Sequence, residues 1–184
     1  MDCKNKIYIK YKMLKDISDF KNNDDLLPIF LAVIIIDFIV ILIAKHTTFF
    51  GNQINVWYNK LGITAVLLDV FIIVIGLLIT RFIFTYFNII FSPIKFIIVA
   101  LIVQIVHDFA LYKLFIENHK GGNLILEIYQ DYAKENGSKI ILADSLMIIG
   151  SCLLGMYLKS IPSYKNINLM IFLIYLIPYY IYKK

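Results

Sequence analysis

Four apolar runs, each long enough to cross a lipid bilayer, dominate the chain. They extend over residues 26–44, 62–84, 94–114 and 140–158. About 20 apolar residues in an α-helix cover the ~30 Å hydrocarbon core of a membrane. Little of the remaining chain is long enough to form a separate soluble domain. The sequence therefore predicts an all-α, polytopic transmembrane helical bundle over residues 26–184.

A fifth apolar segment, residues 167–182, is shorter than the other four. Its 16 residues would extend about 24 Å as a helix, which is less than the ~30 Å hydrocarbon core. Pro178 and a cluster of tyrosines at the end of the segment are typical of a helix that ends at the membrane interface. We expect a short fifth span, and a tilted interfacial or re-entrant segment is the alternative.

The composition supports the membrane assignment and argues against a nucleic-acid partner. Apolar residues make up 60% of the chain, whereas soluble domains are near half apolar. The net charge is +5, but the lysines flank the apolar runs, and no base-reading or RNA-binding motif is present. The expected partner is therefore the lipid bilayer, and no nucleic acid is expected.

The N-terminal segment, residues 1–25, is polar and basic. Its lysines are Lys4, Lys6, Lys10, Lys12, Lys15 and Lys21. Apolar side chains recur within it at spacings of four and three, at Ile7, Tyr11, Leu14 and Ile17. This pattern predicts an amphipathic helix on an anionic membrane surface, and a solvated tail is the alternative. Because basic residues next to the first span favour the cytosolic side, we expect the N-terminus to be cytosolic.

Local signals predict the ends of helices and the contents of the loops. Asp24 or Asp25 is expected to cap the first span. Trp57 and Tyr58, in the first loop, are predicted to anchor the chain at the membrane interface. In the loop over residues 115–139, Asn123 is expected to cap an amphipathic helix that ends at Asn136-Gly137.

Each of the four long runs contains one carboxylate. These are Asp37, Asp69, Asp108 and Asp144. An aspartate at the centre of a lipid-exposed helix costs about 2.5–3.5 kcal/mol on insertion scales. Four such costs predict that the acids face the inside of the bundle, pair with one another, or reach water.

The four acids are predicted to lie at one depth. Successive spans are antiparallel, and the positions of the acids place all four in one leaflet, roughly 6–10 Å below its surface. Polar and small residues share helix faces with three of them, including Gln104 with Asp108, and Gly76 with Asp69. His107 adjoins Asp108 and suggests a proton relay or metal site, although a hydrogen bond to a neighbouring helix is the simpler interpretation.

Motifs for known chemistry are missing. The sequence has no Gly-x-Ser-x-Gly elbow, phosphate-binding loop or His-Glu-x-x-His helix. No cofactor is expected, and the balance is against an enzyme. The four carboxylates leave a metal site of unknown identity open in principle.

Two stretches of the chain carry a resemblance to other sequences. They are Val103-Gln104-Ile105-Val106-His107-Asp108 and Asp144-Ser145-Leu146-Met147-Ile148-Ile149-Gly150-Ser151. With its multiple spans, the chain resembles uncharacterised membrane proteins encoded by large DNA viruses. The resemblance covers about the last two-thirds of the chain and implies a viral or host-derived membrane, but no activity.

Three functional hypotheses follow from these patterns. The sequence favours the first, which is a structural or assembly protein of a membrane, without catalytic activity, that forms homo-oligomers or binds another membrane protein. In it, the acids are hydrogen-bonding groups between helices. The second is a proton- or cation-linked transporter or channel that uses Asp69, Asp108 and Asp144. The third is a metal-dependent enzyme at the membrane face.

Overall fold

The computed structural model describes residues 14–47, 49, 51–137 and 139–182, and all regular structure in them is helical. The helices are α1 (Leu26–His46), α2 (Gln53–Leu61), α3 (Ile63–Tyr86), α4 (Pro93–Leu111), α5 (Leu124–Asn136), α6 (Lys139–Leu158) and α7 (Ser163–Tyr182). A 3₁₀ turn (Asn23–Asp25) precedes α1, and a π-helical turn (Tyr112–Ile116) extends α4.

The predicted all-α bundle is confirmed, and the chain is an integral membrane protein. Within the described part of the chain, four helices are long and apolar enough to cross a membrane: α1, α3, α4 with its π turn, and α6. Their ends lie within two residues of the predicted spans. We call the end of the bundle where α1 begins the tail end, and the end where α1 finishes at His46 the loop end.

Helix α1 is the centre of the bundle. Three consecutive residues in it, Leu31, Ala32 and Val33, are fully buried, which requires neighbours on every side of the helix. Helix α6 approaches α1 closely at Gly155. A Cβ atom there would lie 3.7 Å from Ala32 Cβ and 3.8 Å from Ile29 Cα. The small residue therefore allows the tight helix packing that membrane bundles use.

Helix α7 has 20 residues and is longer than the sequence predicted. It is not one of the four described helices that are long and apolar enough to cross a membrane. Near its start, Asn166 Nδ2 donates a 3.0 Å hydrogen bond to the carbonyl of Leu158, at the tail end. At its finish, Tyr182 Oη accepts a 3.3 Å bond from the amide of Ile63, at the loop end. Helix α7 therefore extends from one end of the bundle to the other.

The N-terminal segment differs from the predicted amphipathic helix. Residues 14–22 are not helical, and residues 1–13 lie outside the described part of the chain. Ile17 is fully buried in the bundle, and the amide of Lys15 donates a 3.1 Å bond to the carbonyl of Met156. The prediction is wrong for the described part because Ile17 packs inside the protein instead of against lipid.

A buried cluster of charges holds this segment at the tail end. Arg81 Nη2 lies 3.5 Å from Asp25 Oδ2, and neither side chain is exposed. The same nitrogen donates to the carbonyl of Asn22 at 2.7 Å and to that of Asp19. Lys159 forms an ion pair with the other oxygen of Asp25. Asp25 is thus a partner of two cations, and the prediction that its side chain caps α1 is wrong.

The cap instead belongs to Asn22, whose side chain accepts a 3.1 Å bond from the amide of Asp24 in the 3₁₀ turn.

The two short helices, α2 and α5, lie together at the loop end. The predicted helix α5 is confirmed, with the Asn123 side chain accepting bonds from the amides of Ile125 and Leu126. The carboxylate of Glu135 accepts bonds of 3.0 and 2.8 Å from the amides of Asn52 and Gln53, at the start of α2. These amides have no partner within α2, so Glu135 satisfies them and fixes α5 against α2.

Candidate functional site

A cavity of about 510 Å³ lies at the loop end, and three of the four intramembrane aspartates line it. Asp69 comes from α3, Asp108 from α4 and Asp144 from α6. Helices α2 and α5 supply the wall at the loop end, largely through aromatic side chains. No Lys or Arg is among the described residues that line the cavity. The site therefore has an excess of acidic groups in largely apolar surroundings.

The depth of the acids follows from their positions in the helices. Asp37 lies nine residues before the loop end of α1, and Asp108 lies eight residues before the loop end of the π turn that extends α4. Asp69 lies six residues after the loop end of α3, and Asp144 lies five residues after the loop end of α6. At 1.5 Å per residue, these offsets correspond to about 8–14 Å. All four acids lie in the loop-end half of the bundle.

Asp69 is held by two side chains from α2. Trp57 Nε1 donates a 3.0 Å hydrogen bond to Asp69 Oδ2, and Tyr58 Oη lies 3.3 Å from the same oxygen. Trp57 is 4% and Tyr58 is 1% exposed. The prediction that they anchor the chain at the membrane interface is therefore wrong. The two residues point into the bundle because the acid offers partners for the indole N–H and the phenol, which need a polar partner when buried.

Asp37 is not in the cavity wall but is linked to it through Tyr58. The Tyr58 Oη lies 3.3 Å from Asp37 Oδ1 as well as from Asp69 Oδ2. Burial, followed by the nearby carboxylates, raises the pKa of Tyr58 well above its ordinary value, so its hydroxyl keeps its proton. One hydroxyl has one proton to donate, so it can donate to only one of the two acids at a time. The other oxygen of Asp37 is buried without a partner in the described residues.

Asp108 is hydrogen-bonded within its own helix. Gln104 Nε2 donates a 2.7 Å bond to Asp108 Oδ1, and His107 Nδ1 lies 3.3 Å from the same oxygen. Gln104 and His107 also line the cavity. The expected bond from His107 to a neighbouring helix is absent from the described structure, because the imidazole turns back to the adjacent carboxylate. Asp108 Oδ2 is a buried oxygen without a described partner.

Asp144 makes no hydrogen bond or ion pair with any described residue. It lies in the second turn of α6, beyond the position of a helix cap. Tyr129 and Tyr132 of α5 line the cavity with it. Burial, followed by carboxylates including Asp144, raises the pKa of both tyrosines, so their hydroxyl groups stay protonated. The cavity thus contains an acid with no counter-ion beside hydroxyl groups that can donate.

The geometry of the acids limits the chemistry that they can perform. No three His, Cys, Asp or Glu side chains in the described part of the chain are placed to hold a metal ion. Carboxylates in an apolar cavity are costly unless a cation or a proton neutralises them.

Of the six residues predicted from the sequence as candidates for binding a ligand, a proton or a cation, five line the cavity and Asp37 does not. The five are Asp69, Asp108, Asp144, Gln104 and His107. Sequence reasoning missed Trp57 and Tyr58 as part of the site. The available signal was the spacing of Ile54, Trp57 and Tyr58, which places all three on one face of a short helix.

Comparison with protein-family models, with curated proteins and with solved structures finds no significant match to this chain. Its candidate site therefore rests on the residues themselves and their arrangement.

Proposed function

We propose that the protein is a carrier that binds a cation in the cavity at the loop end, with Asp69, Asp108 and Asp144 as the binding groups. The observation that carries this proposal is the convergence of three carboxylates on one cavity whose described lining includes no Lys or Arg. Carboxylates are costly in apolar surroundings unless a cation or a proton neutralises them. A bound cation or protons can supply this neutralisation, and exchange of one for the other is the basis of a coupled carrier.

The main rival is the structural hypothesis, in which the acids only connect helices. It accounts well for Asp37 and Asp69, because Tyr58 and Trp57 bond to them from α2. It does not account for Asp144, which is without a protein partner in the described structure. A residue that costs free energy in an apolar site and connects nothing is better explained by a ligand.

The position of the cavity also suits a carrier. The cavity occupies the loop-end half of the bundle, while the buried pair of Arg81 and Asp25 lies at the tail end. A carrier must expose its site to each side in turn. The conformation described here would be the state that is closed at the tail end, and opening would require the Arg81 cluster to separate.

Transport can be tested with purified protein in liposomes that enclose a pH-sensitive dye. We expect an inward gradient of at least one monovalent cation, among Na⁺, K⁺ and an organic ammonium ion, to drive proton movement above that of empty liposomes. Asp144→Asn should abolish this movement. Asp24→Asn is the matched control, because it makes the same change at an exposed acid outside the cavity. If neither ion nor an organic ammonium ion moves protons through the wild-type protein, the carrier proposal is wrong.

The assembly hypothesis makes the opposite prediction for the same variants. If the acids only connect helices, Asp144→Asn should leave every property of the protein unchanged. Homo-oligomer formation and the contact of the basic tail with anionic lipid remain predictions from the sequence, as does the cytosolic N-terminus.

A further inference from the structure

We infer that the cation is an amphiphilic organic amine, in which an ammonium group is attached to an apolar alkyl or aryl body. This inference rests on the proposed cation site and specifies its ligand. It comes from three features of the cavity: the dispersion of its acids, its aromatic wall and its size.

The acids are distributed over three helices and do not form a compact shell of ligands. Asp69, Asp108 and Asp144 each come from a different helix, and no group of three ligating side chains in the described structure could hold a metal ion. Small metal ions need several oxygen atoms at about 2–2.6 Å. A diffuse ammonium group has no such requirement, because it can form a hydrogen bond or a longer-range ion pair with one acid at a time.

Aromatic rings lie beside the acids at the loop end of the cavity. The ring centroids of Trp57 and Tyr129 are 4.6 Å apart, and both side chains line the cavity together with Tyr132. Aromatic faces attract organic ammonium ions, and cages of such rings are the usual binding sites of quaternary amines. Rings and carboxylates together provide an environment that suits a positive charge on carbon-substituted nitrogen.

The rest of the wall is aliphatic and fits the body of the ligand. Ile73, Ile105, Ile128 and Met147, from four different helices, are among its members. The volume of about 510 Å³ lies within the ~300–1,000 Å³ range of small-molecule sites. A hydrated inorganic ion would leave this apolar surface without contacts, whereas an alkyl or aryl group would cover it.

The charge of the wall also selects against other ligands of similar size. An anionic amphiphile would meet three acids and no Lys or Arg in the described lining. A neutral amphiphile would leave the acids without a counter-ion in a site of low polarity, which is unfavourable. The ammonium group is therefore the feature that the site should recognise most strongly.

Trp57 provides a direct reporter, because it is the single tryptophan of the chain and lies in the cavity wall. The protein would be placed in nanodiscs of zwitterionic phosphatidylcholine and titrated with decyltrimethylammonium. Decanol, which has the same alkyl chain and no charge, would serve as the control compound. We expect a saturable change in Trp57 fluorescence with the ammonium compound only. Asp144→Asn should weaken binding at least tenfold, and Asp144→Glu, which keeps the charge, should weaken it less.

Two further results separate the failure of this inference from that of the carrier proposal. If Asp144-dependent Na⁺ or K⁺ flux occurs but decyltrimethylammonium neither changes Trp57 fluorescence nor inhibits the flux, the ligand class is wrong and the carrier stands. An equal response to decanol, or an ammonium response that Asp144→Asn leaves intact, would also overturn the inference. The control Asp24→Asn should bind like the wild type.

Discussion

Arg81 Nη2 lies 3.5 Å from Asp25 Oδ2 at the tail end of the bundle, and both side chains are completely buried. The two ends of the protein differ in whether their buried acids have cationic partners. At the tail end, Asp25 has two cationic partners, Arg81 and Lys159. At the loop end, Asp144 has no described partner. Under the proposed function, the paired charges hold the tail end together, and the carboxylate of Asp144 is available to a ligand from outside the chain.

Replacing Arg81 with Met should release the N-terminal segment. The substitution removes the cation that pairs with Asp25 and the donor that binds the carbonyls of Asn22 and Asp19. Removing one partner of a buried ion pair typically costs about 3–5 kcal/mol. We expect lower thermal stability in nanodiscs and faster trypsin cleavage at Lys15 and Lys21.

The control for this prediction is Lys113→Met, which breaks an exposed pair with Glu117 four residues away in the chain. Such exposed pairs contribute little to stability because water screens them, so stability and cleavage should stay near the wild-type values. If Arg81→Met were as stable and as resistant to trypsin as Lys113→Met, the cluster would not hold the segment.

The hydroxyl group of Tyr58 should couple Asp37 to the rest of the site. Tyr58→Phe leaves Asp37 without its described hydrogen bond, at a cost of about 1–3 kcal/mol for a buried polar group. In a double-mutant cycle with Asp37→Asn, we expect a coupling energy of at least about 0.5 kcal/mol from thermal unfolding. Additive effects of the two substitutions would show that the 3.3 Å contact contributes no stability.

The spans and the acids could be predicted from the sequence because each depends on local information. The apolar runs are continuous, so the limits of α1, α3, α4 and α6 follow from the first and last apolar residues. The common depth of the acids then follows from antiparallel order. The exact partners could not be predicted in this way. Arg81 and Asp25 are 56 residues apart, and no local pattern indicates which acid an intramembrane arginine will meet.

The errors arose where one pattern fits two environments. Trp57 and Tyr58 next to a span are typical of an interface belt, but the same side chains can turn inward when buried acids accept their hydrogen bonds. Ile17 continues an amphipathic pattern, but packing inside the bundle overrides it. The polar start of α7, before residue 167, was missed because apolarity alone set the predicted limit.

Gly155 should tolerate Ala but not Leu. A Cβ atom at this position would lie 3.6 Å from Ile17 Cδ1 and 3.7 Å from Ala32 Cβ, which are ordinary contact distances. The larger branched side chain would force α6 away from α1, and overpacking of this kind typically costs about 1–3 kcal/mol. Thermal unfolding of the two variants in nanodiscs measures the difference. Equal stability of Gly155→Leu and Gly155→Ala would mean that the two helices are not closely packed here.

The contact between Glu135 and the start of α2 should make the loop end sensitive to acid. Bonds from the amides of Asn52 and Gln53 hold the pKa of Glu135 below its ordinary value of 4.5. The lower pKa in the folded state means that the stabilisation is complete above about pH 4.5 and is lost as the pH falls through that lower pKa. Because Glu135 is exposed, the effect should also weaken in high salt.

Fluorescence of Trp57 can follow this change, because its ring packs against Tyr129 of α5. Acidification should disturb that packing more in the wild type than in Glu135→Gln, in which the carboxylate is already absent. The two proteins should differ most at neutral pH and converge in acid, while acid titration of other groups affects both alike. If the difference stayed constant from neutral to acid pH, the carboxylate of Glu135 would not be the group that fixes α5 against α2.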